Sequence, residues 1–176
     1  ADLLSQAEHD EAAYPLLVTT ELALASAVER EVRRQLAELP RRAVAAVSIE
    51  KNGHAFVLRS RDRMLALADA LAVEHVALHV ERADEAFDAI GAIGAAFVGA
   101  STPEAAGDYL AGPSHVLPTG GAVRFGSPLG VYDFVARSSY IRYTPDALRK
   151  LAAAITTLAR AEGLEAHARA VDVRVA

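Results

Sequence analysis

Short apolar runs alternate with amphipathic segments between residues 16 and 98, and no other feature of the sequence constrains the fold as strongly. The short runs have the length and pattern of strands, at 16–18, 54–58, 76–80 and 95–98. The segments between them carry apolar residues at helical spacing and predict helices, at 21–39, 41–50, 63–72 and 83–90. Strands that alternate with helices are typical of a mostly parallel sheet with flanking helices. The sequence therefore predicts an α/β fold.

The regular pattern stops at Ser101. Residues 101–129 are rich in glycine and proline and have no clear period. An irregular loop of that length within a compact domain usually serves a function. Ahead of the first strand, a short helix is predicted at 2–9, where leucine and alanine residues lie on one side.

The C-terminal part of the sequence has a helical pattern. A strand is predicted at 137–143, and Thr144-Pro145 after it has the composition of a helix start. This helix is expected to run to about Glu162, and a second short helix follows Gly163. We therefore expect a sheet domain followed by a small helical segment, with the bounds 1–130 and 131–176.

Composition excludes several classes of function. The formal net charge of −5 gives no general attraction for nucleic acid. The absence of cysteine excludes disulfides, thiolate zinc sites and cysteine nucleophiles, as expected in a reducing cytoplasm. No apolar run approaches the roughly 20 residues that span a bilayer, and no signal peptide is recognisable. Because the sequence starts within a predicted helix, we expect it to be part of a longer chain.

Two polar pairs have the composition of chemical sites. Gln6 and His9 are three residues apart on one face of a predicted helix, where an amide oxygen and an imidazole can share a metal ion. An exposed polar helix face has the same pattern. Glu74-His75 lies at the edge of a predicted strand, where an acid and an imidazole can exchange protons. An ordinary polar turn is the alternative for this second pair.

Further candidate residues follow later in the chain. Asp108 and His115 fall in the glycine-rich segment, and a carboxylate is a suitable zinc ligand beside nitrogen ligands. Glu162 and His167 lie in the helical tail, where a solvated surface helix is the alternative. The two other histidines are expected to be solvated, His54 and His79.

Common nucleotide and hydrolase motifs are absent from the sequence. It has no G-x-x-x-x-G-K-[ST] phosphate loop, no G-x-G-x-x-G between a strand and a helix, and no G-x-S-x-G nucleophile elbow. The glycine clusters at 91–99 and 120–121 have other spacings. The residues alone therefore assign no binding site for a dinucleotide.

Taken in order, these patterns resemble the later part of histidinol dehydrogenase sequences. The matching stretches are 2–9 (DLLSQAEH), 74–75 (EH), 106–109 (AGDY), 112–121 (GPSHVLPTGG), 131–134 (VYDF) and 162–167 (EGLEAH). The stretch 112–121 is highly specific, and the joint pattern is far stronger than any one part. The resemblance covers essentially the whole of this sequence.

The resemblance implies a set of site residues. It implies four ligands for a Zn2+ ion, which are Gln6, His9, Asp108 and His167. It implies that Glu74 and His75 are the catalytic acid–base pair. The residues implied to contact the substrate are His115, Glu162, Asp108 and His167. In this family the histidine of the tail comes from the other subunit of a homodimer, so we expect His167 and Glu162 to complete the site of the partner subunit.

The resemblance also implies an activity and a domain organisation. The activity is the zinc- and NAD-dependent oxidation of L-histidinol, through L-histidinal, to L-histidine. Residues 1–130 would form the second half of an incomplete Rossmann-like domain, and 131–176 a dimerisation segment. The NAD contacts would lie in an N-terminal part that this sequence lacks, so the chain alone is expected to be inactive. No nucleic-acid or membrane partner is implied.

Two alternatives are compatible with the same residues. One is a related zinc-dependent dehydrogenase that acts on another small alcohol, and the other is a non-catalytic α/β module that binds a metal. The sequence departs from the family pattern at Ala72-Val73, where Ala-Pro or Gly-Pro usually precedes the Glu-His pair. A proline would stiffen that turn.

Overall fold

The computed structural model describes residues 1–176 and shows a mixed α/β protein, as the sequence predicts. Most predicted elements are present, with ends that differ by a few residues. The elements in chain order are α1 (Asp2–Ala7), β1 (Leu16–Thr19), α2 (Leu22–Leu36), α3 (Arg42–Asn52), β2 (His54–Val57), α4 (Arg61–Leu71), β3 (His75–Leu78), α5 (Ala83–Asp88), β4 (Ala95–Val98), α6 (Glu104–Tyr109), α7 (Pro145–Ala161) and α8 (Glu165–Val175).

The four strands pair in parallel. β1 pairs with β2 in a register that sets Leu16 opposite His54, and β3 pairs with β4 with His75 opposite Ala95. The pairing direction is the predicted one, but the strands form two separate two-stranded sheets and not one sheet. Helices α2 and α3 connect the first pair and α5 connects the second, because parallel neighbours need a crossover.

Side-chain caps set the start of two helices. The Ser60 hydroxyl accepts a hydrogen bond from the backbone N–H of Arg63 and caps α4. The Thr144 hydroxyl accepts one from the N–H of Ala147, with Pro145 as the first residue of α7. The start predicted for α7 is therefore confirmed.

The core that supports the candidate site lies under β3. Val76 and Leu78 are buried and pack with Ala86 of α5 and with Ile90. Ala77, between the two strand residues, is exposed, which is the alternation of a strand with one covered face. Full burial of a valine, leucine or isoleucine side chain is worth about 1.5 to 3 kcal/mol. The packing holds β3 in place and thereby the residues at its start.

The prediction of an uninterrupted loop at 101–129 is wrong, because this segment contains α6. Pro103 precedes the helix in extended conformation, and Glu104 is its first residue. The helix has only six residues and includes Gly107. So short a helix leaves no measurable period in the sequence. A single 3-10 turn at Ala122–Arg124 is the other regular structure in the segment.

Residues 137–143 do not form the predicted strand. They are irregular, and Tyr140 and Ile141 are 82% and 76% exposed. Apolar and aromatic residues favour extended structure, but a strand exists only when it pairs with a neighbour. All strand pairing in the structure is within β1 to β4.

The chain divides into two compact units, Ala1–Phe134 and Val135–Ala176. The first contains the four strands and α1 to α6. The second contains α7 and α8, which pack on each other and are joined by ion pairs from Arg160 to Glu165 and Asp172. None of the helices is both long enough and apolar enough to cross a membrane.

Candidate active site

Glu74 and His75 stand where β3 begins. α4 ends at Leu71, and the next residue, Ala72, has a left-handed backbone (φ 48°, ψ 53°), so Ala72-Val73 turns the chain without a proline. His75 is the first residue of β3. The backbone of Gly94 lies so close that a Cβ there would come within 2.5 Å of the Glu74 carbonyl oxygen. The pair is therefore held between the end of α4 and the start of β4.

The His75 imidazole lies near two carboxylates. Its side chain is 14% exposed, and Nδ1 is 3.8 Å from Glu74 Oε1 and 3.7 Å from Glu104 Oε1. The ring of Phe97 lies beside it, with centroids 5.9 Å apart. Burial lowers the pKa of the imidazole, and the Glu74 carboxylate opposes this shift only in part. The neutral ring, which can accept a proton, is thereby favoured.

Helix α6 carries two carboxylates to this place. Glu104 is buried and Asp108 is half-buried. The helix approaches β4 closely because Gly107 has no side chain, since a Cβ there would lie 2.7 Å from Cε1 of Phe97. Glycine at this position therefore allows α6 to pack against the phenylalanine that neighbours His75.

Helix α1 brings Gln6 and His9 to the same carboxylates. Nε2 of Gln6 donates a hydrogen bond to Oε1 of Glu104. The predicted helical face shared by Gln6 and His9 is wrong, because the helix ends at Ala7 and His9 lies in the turn that follows. Its backbone N–H donates to the Gln6 carbonyl at 3.2 Å. The turn therefore keeps the two candidate ligands together.

The other end of α1 is also anchored. Oδ2 of Asp2 lies 3.1 Å from Nε2 of His79, just beyond the end of β3. His79 is exposed, as expected, and its ring has this one partner. The start of α1 therefore lies near the end of β3. Gln6, later in α1, contacts Glu104, which lies near His75 at the start of β3. The helix and the strand thus run in opposite directions.

His9, Glu104 and Asp108 form a group that can hold a metal ion. One ligand atom from each residue lies within 4.8 Å of the others. A tetrahedral zinc ion with bonds of about 2.0 to 2.2 Å holds its ligand atoms about 3.3 to 3.6 Å apart. Small side-chain rotations therefore bring the group to zinc distances. Imidazole and carboxylate are donors that zinc accepts, so the residues present fit this ion.

Glu104 is the one member of this group that the sequence analysis does not select. Burial raises the pKa of its carboxyl to about 7; the Asp108 carboxylate adds to the shift, and the hydrogen bond from Gln6 opposes it. A proline followed by an acidic residue is typical of the first turn of a helix. The pair Pro103-Glu104 therefore indicates the start of α6 in the sequence. It does not indicate the chemical role of the glutamate.

A cavity of about 310 Å3 opens beside His75 and Asp108. His115 is among its lining residues, and Leu117 and Pro128 add apolar walls. Binding sites for small molecules have about this size, with a few polar groups among apolar walls. The cavity therefore brings the predicted substrate contact His115 together with a candidate base and a candidate metal ligand.

Glu162 and His167 belong to the second unit. Glu162 follows the last residue of α7, and His167 lies in the first turn of α8. Both residues are exposed. The roles expected for them in a metal and substrate site stay predictions.

Comparison with known proteins points to one family. The chain matches a family model described as histidinol dehydrogenase over residues 1–175. A histidinol dehydrogenase from Bacillus cereus is 51% identical over 174 residues, and one from Geobacter sulfurreducens is 49% identical over 175 residues. Each alignment covers 99% of this chain and 41% of the relative. The chain thus spans about 41% of the length of these relatives.

A solved structure gives the same relationship. The crystal structure of histidinol dehydrogenase from Elizabethkingia anophelis is similar to 99% of this chain, with a TM-score of 0.91 and 33% sequence identity. The match covers 40% of that longer chain. With sequence and structural similarity along almost its whole length, the chain belongs to the histidinol dehydrogenase family.

Proposed function

We propose that this chain supplies the zinc- and substrate-binding part of a histidinol dehydrogenase. The reaction is the oxidation of L-histidinol through L-histidinal to L-histidine in histidine biosynthesis, with two NAD molecules as hydride acceptors. The observation that carries the proposal is that His75 and Asp108 line one cavity, and that Asp108 also belongs to the group of side chains that can hold a metal ion. Family membership supports the choice of substrate.

The ligands proposed for Zn2+ are Gln6, His9, Asp108 and His167. Bound there, the ion would act as a Lewis acid on the substrate hydroxyl and would orient the imidazole and amine of histidinol. His9 and Asp108 supply a nitrogen and an oxygen donor within one group. In our proposal His167 comes from the partner subunit of a homodimer, together with Glu162 as a contact for the substrate.

The first oxidation requires removal of a proton and a hydride. We assign the proton to His75, whose buried imidazole favours the neutral, proton-accepting form. A bound NAD would accept the hydride from the alcohol carbon, and the alcohol would become an aldehyde. Asp108 and His115 line the same cavity and would hold the substrate against His75.

The second oxidation requires water. We assign its activation to Glu74, whose side chain is 38% exposed and therefore accessible to solvent. The carboxylate takes a proton from the water as it adds to the aldehyde. Once His75 has released its first proton to solvent, it can take a second one from the hydrated aldehyde. A second NAD would accept the hydride, so the product is the carboxylate.

An assay with histidinol tests this function directly. The natural protein that contains this chain is incubated with zinc, NAD and histidinol, and NADH is measured by absorbance. We expect two NADH for each histidinol consumed. Other small amino alcohols and sulfonated alcohols serve as competing substrates. Preference for one of these would indicate the related dehydrogenase, and zinc binding without any NADH formation would indicate a non-catalytic module.

A further inference from the structure

Glu104 is a buried carboxyl group without a basic partner. The residue is 7% exposed, and its side chain makes no ion pair with lysine or arginine. A carboxylate removed from water is costly unless it is paired or hydrogen-bonded. The only donor that reaches its side chain is the amide of Gln6, and the nearest ionisable nitrogen is Nδ1 of His75 at 3.7 Å.

The hydrogen bond from Gln6 has a geometric consequence for the amide. A side-chain amide is planar and carries a donor nitrogen and an acceptor oxygen on opposite sides. Because Nε2 of Gln6 is bound to Oε1 of Glu104, the amide oxygen is the atom left to face a metal. Residues beyond the ligands of a metal commonly orient those ligands in this way.

We propose that Glu104 is a positioning residue that orients the Gln6 amide so that its oxygen, and not its nitrogen, faces the zinc ion. This inference rests on the proposed function, because it takes Gln6 as a zinc ligand. Glu104 then acts on the metal through Gln6, and the same oxygen lies 3.7 Å from Nδ1 of His75.

Direct binding of zinc by Glu104 is the competing outcome, since Glu104 belongs to the metal-binding group. Oε1 of Glu104 accepts from Gln6 and is also the oxygen near His75, so direct binding of zinc would fall to Oε2. The two roles differ in whether the effect of Glu104 requires Gln6.

A double-mutant cycle on zinc affinity tests the proposal. Zinc dissociation constants are measured by chelator competition in the natural protein that contains this chain, without NAD or histidinol. We expect Glu104→Leu to weaken zinc binding about 10- to 100-fold. In a Gln6→Ala background, the same change is expected to add less than about threefold, because residues that act through one another are not additive.

Further variants separate positioning from loss of structure. Glu104→Gln keeps an acceptor oxygen for the Gln6 amide and is expected to restore most of the affinity. Glu74→Gln removes a nearby carboxylate that has no contact with Gln6, and its zinc affinity is expected to match the parent. Replacement of zinc by cobalt(II) gives an absorption spectrum that is expected to be the same in Glu104→Gln and in the parent. These variants remain informative if Glu104→Leu does not fold.

The outcomes are distinct. Full additivity of Gln6→Ala and Glu104→Leu, or a Glu104→Gln protein as weak as Glu104→Leu, would overturn the proposal in favour of direct ligation. Unchanged affinity in all Glu104 variants would also overturn it, while the histidinol assay could still succeed. If the parent protein binds no zinc, the proposed function fails, and this inference fails with it.

Discussion

His75 and Glu74 are neighbours in the sequence but lie in different environments. The His75 side chain is 14% exposed, and that of Glu74 is 38% exposed. The enclosed imidazole is suited to exchange protons with a substrate, and the more exposed carboxylate is suited to act on water. Two titratable groups whose surroundings differ in this way commonly divide the acid and base roles of a reaction.

This division of roles predicts different effects of two substitutions. Glu74→Gln should mainly slow the oxidation of histidinal, whereas His75→Asn should slow both oxidations. Each loss is expected to be on the order of 10²- to 10⁴-fold in the affected step, the usual contribution of a general base. Rates are measured in the natural protein with histidinol and with histidinal as separate substrates. Small and equal effects of both substitutions would contradict the assignment.

The proposed zinc ligands predict a loss of metal on substitution of one histidine. His9→Ala should lower zinc affinity about tenfold or more, because an imidazole donor is removed. His54→Ala removes an exposed imidazole from β2, outside the metal group, and is the matched control. Zinc is measured by elemental analysis after dialysis, and binding should weaken in acid, where protons compete for the ligands. Equal zinc content in both variants would exclude His9 as a ligand.

The helices and strands differ in how far the sequence predicts them. α2 and α7 have many apolar residues at helical spacing, and capping residues or proline mark their ends, so their positions follow from local chemistry. α6 is not predicted from the sequence, because six residues are too few to show a helical period. The strand predicted at 137–143 is wrong because strand formation depends on a partner elsewhere in the chain. The sequence selects its candidate residues first as polar patterns and then through family resemblance, among them Gln6, His9, Glu74, His75 and Asp108. Glu104 becomes a candidate only through its three-dimensional contacts.

Two glycines in the loop before β4 are expected to differ in how much an alanine substitution lowers the stability of the fold. Gly94→Ala places a Cβ 2.5 Å from the Glu74 carbonyl oxygen and must displace backbone. We expect a loss of about 1 to 3 kcal/mol in the free energy of unfolding. Gly91→Ala meets only Oδ1 of Asp69 at 3.5 Å, an ordinary contact, and should be nearly neutral. Urea unfolding of the chain measures both, and similar stabilities would show that the close approach at Gly94 is unimportant.

At the scale of the whole molecule, both units expose large apolar side chains. Tyr132 and Phe134 of the first unit are 79% and 78% exposed, and Tyr140 and Ile141 of the second are 82% and 76% exposed. Proteins that work as monomers rarely leave so much apolar surface in water. Each unit therefore has surface suited to contact with further polypeptide, in line with the proposed homodimer.

The exposed apolar surface predicts that the purified chain self-associates. Because the chain spans only 41% of the length of its relatives, we also expect that alone it does not reduce NAD. Light scattering should give a mass that rises with concentration. The double substitution Tyr140→Ser, Ile141→Ser should lower it, while Arg137→Ser, in the same exposed segment, should not. A chain that stays monomeric at all concentrations, or that forms NADH steadily with histidinol and zinc, would contradict this expectation.

Contacts at two positions of α1 fix the number of residues that must lie between them. Asp2 and Gln6 are about one helical turn apart. Asp2 contacts His79 just beyond the end of β3, and Gln6 contacts Glu104 of α6. An inserted or deleted residue between them would rotate Gln6 by about 100° relative to Asp2 and turn its amide away from Glu104. We therefore expect side chains on the outer face of α1 to vary among relatives, while the number of residues between Asp2 and Gln6 stays constant. Length variation among natural relatives is expected to be absent from 2–6 and to fall in surface loops such as 37–41.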